Sequence, residues 1–176
     1  MRVDLQLEDR RAQEFLARIQ NDAGNPAPAL KQISELVVDS TKQRFQTSRA
    51  PDGSQWEPNR PSTLFAHLGR FGGSYRRDGG LSARGSRRMA GKKPLIGESR
   101  ALSTTINYRV AGNVAEIGSP MEYAPVHQFG ARKGEFGSTR RGAPIPWGDI
   151  PARPFLGISE SDSAMIRDVL LDFLGS

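Results

Sequence analysis

Thr104-Thr105-Ile106-Asn107-Tyr108-Arg109-Val110, then Ala111-Gly112-Asn113, then Val114-Ala115-Glu116-Ile117, is the stretch that decides the fold of this 176-residue chain. Thr104, Ile106, Tyr108 and Val110 alternate with Thr105, Asn107 and Arg109, the period of a half-buried strand. Ala111-Gly112-Asn113 is turn-forming, and the apolar run resumes directly after it, which predicts an antiparallel hairpin. On either side the period changes. Leu30, Ile33, Val37 and the run from Thr41 to Phe45 share one helical face, predicting a long helix at 28–47 with Pro28 in its first turn. Met165, Ile166, Val169, Leu170 and Phe173 do the same near the end, with Ser161 as the candidate cap. The expected fold is α+β: a small, mainly antiparallel sheet packed by a long helix and a C-terminal helix, with long basic loops.

Further out, Val3, Leu5 and Leu7 alternate with Asp4, Gln6 and Glu8 and predict a short strand. Ala12, Phe15, Leu16 and Ile19 then fit a helix that Gly24-Asn25-Pro26 ends. Pro51-Asp52-Gly53 is a turn. From 60 to 94 periodicity is lost, and the segment reads as a basic flexible insert. Pro120 opens a short helix through Gln128, with Gly130 suited to its cap, and 131–149 forms a second Gly/Arg-rich loop. Arg153 to Ile158 suits one more strand. No internal repeat appears, so residues 1–176 form a single domain.

Composition narrows the function. With no cysteine, disulfides and thiolate metal sites are excluded. No apolar run approaches the roughly 20 residues that span a bilayer, and the N-terminus lacks a signal-peptide stretch, so a cytoplasmic origin without a membrane is expected. The net charge of +6 is uneven. Residues 60–94 hold nine Arg or Lys against Asp78 alone, and Arg132, Lys133, Arg140 and Arg141 outnumber Glu135 in the second loop. The remainder is slightly acidic.

Reaction chemistry finds little support. The two histidines, His67 and His127, belong to no metal-binding spacing; His67 reads as solvated, and His127 as a helix-end ring bonding a carbonyl or packing on Phe129. Gly85 to Lys93 has the wrong glycine spacing for a phosphate loop and lacks the Ser or Thr after lysine. Asp52 and Glu57 flank Trp56, but Asp52 is a turn former and Trp56 reads as an apolar anchor for its loop. No catalytic residue, cofactor or metal is expected. Arg70, Arg76, Arg77, Arg84, Arg87, Arg88, Lys92 and Lys93, interleaved with Phe71 and Tyr75, could meet DNA phosphates and bases or an acidic protein neighbour.

Two segments stand apart: Tyr123-Ala124-Pro125-Val126-His127-Gln128-Phe129-Gly130 and Ile150-Pro151-Ala152-Arg153-Pro154-Phe155-Leu156-Gly157. Both read as packing elements. Pro151 and Pro154 restrict the backbone around Arg153, presenting it for a bidentate bond to an acid in the domain or on a neighbour. In a strand, Phe155 and Leu156 would face opposite ways, one toward the core and one toward a contact. Tyr123 and Phe129 are expected to anchor the short helix to the sheet. Arg153, Phe155, Tyr123, His127 and Phe129 are thus candidates for a subunit or ring interface.

With Ser48-Arg49-Ala50-Pro51-Asp52-Gly53-Ser54-Gln55-Trp56 and Leu95-Ile96-Gly97-Glu98-Ser99-Arg100-Ala101-Leu102 preceding them in order, these segments make the chain resemble the virion morphogenesis (tail completion) family of tailed, Mu-like bacteriophages. The resemblance implies a non-enzymatic structural virion protein at the head–tail junction or tail, assembled in the host cytoplasm. Its expected partners are its own copies in a homo-oligomeric ring, other neck and tail proteins, and DNA in the lumen. The alternative is a DNA-binding assembly factor absent from the mature virion. The arginine-dense 66–93 insert departs from the family pattern, as does Glu98-Ser99-Arg100, where a glycine turn is expected before the arginine.

Overall fold

A computed structural model describes residues 3–5 and 25–175. The helix expected around Ala12 to Ile19 lies outside the described residues. Among those described, β1 (Val3–Leu5), β2 (Asn107–Ala111) and β3 (Val114–Ser119) form one antiparallel sheet in the order β1-β3-β2. The hairpin register pairs Tyr108 with Ile117 and Ala111 with Val114, and Leu5 meets Ile117 from the other side. The mixed α+β fold is as the sequence leads one to expect.

Helix α1 (Ala27–Thr47) carries the apolar stripe read from the sequence, with Pro in its first turn. It packs on the sheet and, antiparallel, on the C-terminal helix, here α6 (Glu160–Gly175). Ala29, Ile33 and Val37 cluster with Val169 at one end, while Arg44 reaches Asp162 at the other. A second, larger cluster holds Val38, Phe45, Trp56, Leu102, Ile106, Phe155 and Leu156. Phe45 sits at its centre, 5.5 Å edge-on from Trp56 and 5.3 Å from Phe155. Trp56 is the loop anchor it was expected to be, and its Nε1 also donates to the Pro154 carbonyl at 2.8 Å.

Four local expectations change. The strand does not begin at Thr104, because Arg100, at φ 53°, starts a helical turn, α4 (Ala101–Thr104), whose hydroxyls and amides close on Arg100 and Ala101 carbonyls. The left-handed residue is Arg100 itself, whereas a glycine turn was expected before the arginine. The short helix begins later than Pro120, as α5 (Ala124–Phe129). Residues 153–158 form no strand and bend at Leu156–Gly157. The cap of α6 is Ser159 rather than Ser161: its Oγ accepts from the Asp162 amide at 3.1 Å, and the Asp162 carboxylate accepts from the Ser159 amide at 2.8 Å. That reciprocal pair is a capping box.

The 60–94 insert, expected to be irregular, contains α2 (Pro61–Gly69) and α3 (Ala83–Gly91), packed on each other. Periodicity did not announce them because small residues, not an apolar stripe, join them. Ser74 is buried between them; its Oγ lies 2.9 and 2.8 Å from the Leu68 and Phe71 carbonyls and accepts from Arg88. Ser82 caps α3 by accepting from the Gly85 amide at 3.0 Å. His67, expected to be solvated, is half-buried with its ring 5.1 Å edge-on from Phe71. A Cβ on Gly85 would lie 2.0 Å from the Ser74 carbonyl oxygen. Gly85→Ala should therefore cost about 1–3 kcal/mol through forced separation of the helices. Hydrogen exchange should then rise across 61–91 while α1 keeps its protection.

Candidate functional site

The two conspicuous segments face each other. Ala131 and Ile150 exchange backbone bonds at 2.9 and 2.7 Å, and the Arg153 amide donates to the His127 carbonyl at 2.8 Å. The Gln128 side chain then completes the pairing. Its Oε1 accepts from the Phe155 and Leu156 amides at 3.0 and 3.1 Å, and its Nε2 donates to the Leu156 carbonyl at 2.9 Å. One amide thus takes the place of the strand partner that 155–156 lacks. Gly130, at φ 79°, permits this approach: a Cβ there would sit 2.8 Å from the Ile150 carbonyl oxygen.

From the opposite side, the Arg44 Nη1 donates to the Phe155 and Gly157 carbonyls, both at 2.8 Å. Its Nη2 bonds Ser40 and forms an ion pair with Asp162, and both charges are buried. Burial pushes the Asp162 carboxyl up, but hydrogen bonds from Ser40 and Ser159 together with the Arg44 charge outweigh it and hold the group below its usual value. Arg44 and Gln128 are the residues that sequence reasoning passed over. A signal existed for Arg44, since a guanidinium on the stripe of Val37, Thr41 and Phe45 must find acceptors inside the protein.

Arg153 and Phe155, read as interface candidates, are buried within the chain. Arg153 does bond in two directions, but to the Glu57 and Pro58 carbonyls at 2.8 and 3.1 Å rather than to an acid. Phe155 and Leu156 both enter the core, because without a strand partner they do not alternate. Tyr123 and Phe129 are exposed rather than anchoring α5, a task that falls to Ala124 and Gln128. His127 packs edge-on against Tyr123, 5.8 Å between centroids, not on Phe129, and its Nδ1 has no partner.

Beside these residues lies an open cleft of about 420 Å³, lined in part by Tyr123, His127 and Arg153. Arg60 and Lys92, at the two ends of the 60–94 insert, also line it, as do Asp149 and Ile150 at the root of the second loop. Both basic excursions therefore spring from one rim. Within the insert, several cations are engaged locally. Arg70 pairs with Glu98 at 2.8 Å, Arg76 with Asp78 at 3.4 Å, and Arg88 bonds Gly72 and Ser74 with its guanidinium over the Phe71 ring. Lys92 donates to the Ile96 carbonyl and Lys93 to that of Gln46. Arg77, Arg84 and Arg87 are exposed without an acidic partner among the described residues.

This arrangement holds a backbone rigid and presents cations around it. Among the described residues no His, Cys, Asp and Glu cluster could hold a metal, and no helix is long and apolar enough to cross a membrane. The site is a structural clasp with charged projections. The chain belongs to the phage virion morphogenesis family, whose model matches residues 7–175. It is 30% identical over 139 residues to a protein of Escherichia phage Mu named as capsid assembly protein G, covering 78% of this chain and 72% of that one. It is 34% identical over 80 residues to the Mu-like prophage FluMu G protein 2 of Haemophilus influenzae, covering 46% and 51% respectively. No solved structure matches.

Two measurements test the clasp. Gln128→Ala leaves three buried backbone groups unpaired, at about 1–3 kcal/mol each, so urea denaturation should show a loss of about 3 kcal/mol or more. Burial, and then the Arg153 charge, hold His127 below its ordinary 6.5, so the fold keeps the ring neutral. The unfolded chain takes up the proton first. Stability should be full above pH 6.5 and fall as pH drops through 6.5 toward the folded-state value. Thermal melts across that window should show the slope, and His127→Gln should flatten it.

Proposed function

We propose that this chain is a structural component of the phage particle that completes the tail or joins it to the head. It acts there as a homomeric ring between neighbouring rings. Membership of the morphogenesis family along nearly the whole chain supports the setting. The observation that carries the reading is the division of labour around the clasp. The most specific segments are engaged inside the chain, while both basic excursions leave from one rim and stay outside. A rigid body with projections of one sign suits contacts to unlike neighbours, which closed rings require. Its neighbours are further copies, other neck and tail proteins, and DNA passing through the lumen. Assembly takes place in the host cytoplasm, and the reading includes neither catalysis nor a cofactor.

A second reading, a DNA-binding assembly factor that leaves before maturity, is favoured by one observation. Arg77, Arg84 and Arg87 have no acidic partner among the described residues, and the named role of the Mu relative fits it as well. Cryo-electron microscopy and mass-resolved composition of purified particles separate the two. A ring of this chain at the head–tail junction or in the tail is the expected result. Its absence from mature particles, with DNA binding that weakens steeply as salt rises, would overturn the structural reading.

A further inference from the structure

We infer that residues 131–150 form a docking arm that seats on the outward face of α6 in a second copy of this chain. This contact rests on the ring reading above and supplies the ring's subunit-to-subunit joint.

The arm is a loop doubled back on itself, closed by isolated bridges at Ala131–Ile150 and Ser138–Pro144. Beyond the Ala131–Ile150 rung, the Phe136 amide donates to the Ile145 carbonyl and the Ile145 amide to the Gly137 carbonyl, each at 2.8 Å. Among the described residues its aromatic side chains are left uncovered. Trp147 is 78% exposed, Phe136 54%, and Phe129 at the root 68%. A doubled-back loop with so few rungs has even less to hold it than an isolated hairpin, which is marginal in water, and it gains from a surface to lie on. Arg132, Lys133, Arg140 and Arg141 are exposed along it and form no ion pair among the described residues, while the Glu135 and Asp149 carboxylates accept from the Arg132 and Lys133 backbone amides at 2.6 and 2.8 Å.

The matching surface is on α6. Ile166, Val169, Leu170 and Phe173 face α1, which leaves Leu171 on the far side of the helix and Leu174 at the margin of the buried stripe, 58% and 42% exposed. Asp168 and Asp172, both exposed, lie to one side of Leu171, and Arg167, the one cation of the helix, lies to its other side. Aromatic anchors and arginines on one surface thus correspond to aliphatic residues and carboxylates on the other, the pairing that typifies interface centres and their charged rims. The two surfaces are unlike and belong to the same chain, so their union is head-to-tail and propagates around a ring.

The test places the photo-crosslinking residue p-benzoylphenylalanine at position 147, and separately at 136, in full-length chain assembled into particles from a mixture of isotope-labelled and unlabelled copies. Irradiation should join the arm to a peptide from 160–175 with mixed isotopes, the mark of two copies. Cross-links to DNA, to another phage protein or within one copy, or no cross-link, would overturn the inference. Arg140→Glu with Arg141→Glu should lower particle incorporation at least tenfold, and adding Asp168→Arg with Asp172→Arg should restore it. Failure of that rescue would also overturn the inference. If the chain is present in particles but cross-links elsewhere, the arm alone is wrong; if the chain is absent from them, the ring reading falls as well.

Discussion

A guanidinium on the apolar face of a helix sets the terms for this structure. Arg44 cannot reach water, so its donors must be met by the protein, and they are met by three different parts of it: Ser40 on its own helix, the Phe155 and Gly157 carbonyls, and Asp162. Taking both charges of the pair out of water offsets much of their attraction, so the pair adds little net stability. Its effect is geometric. Removing one member would strand the other at a cost of about 3–5 kcal/mol. Rotation of α6, or a shift of 155–157, would break several bonds at once. The capping box at Ser159 depends on the same carboxylate, so the start of α6 and the end of the clasp are fixed by one side chain.

What was legible in the sequence follows from how each element is held. The long helix and the hairpin are held by periodic apolar faces, and periodicity is visible in a single chain. The segment 153–158 is held by Gln128, Arg44 and Trp56, side chains distant in sequence, and nothing local distinguishes it from a strand. Helices α2 and α3 meet through Ser74 and Gly85, residues whose composition suggests a loop. The site was half legible. Its two segments stood out, and their role as packing elements is what the structure displays, but Arg153 points inward because its acceptors lie some 95 residues away, at Glu57 and Pro58.

The charge pattern gains meaning from the same geometry. Cations near the body, Arg70, Arg88, Lys92 and Lys93, are tied to carbonyls, a ring or a carboxylate. Farther along the insert Arg76 meets Asp78 and Arg87 the Ala83 carbonyl at their exposed positions, while Arg77 and Arg84, like Arg140 and Arg141 on the arm, form no ion pair among the described residues. Local charge density in the sequence therefore overstates what is available to a partner. The distinction matters for any contact driven by electrostatics, since a tethered cation must first give up its internal bonds.

The Asn59 side chain donates to the Lys92 carbonyl at 3.0 Å, pinning together the points where the chain leaves the body and returns to it. The segment between has its own small internal packing, and the Arg70–Glu98 pair ties it to the chain beyond at a second point. Neither core cluster draws a residue from 61–91, so the core packing does not depend on this segment. A change in the length of this module would leave the packing of α1, the sheet and α6 in place.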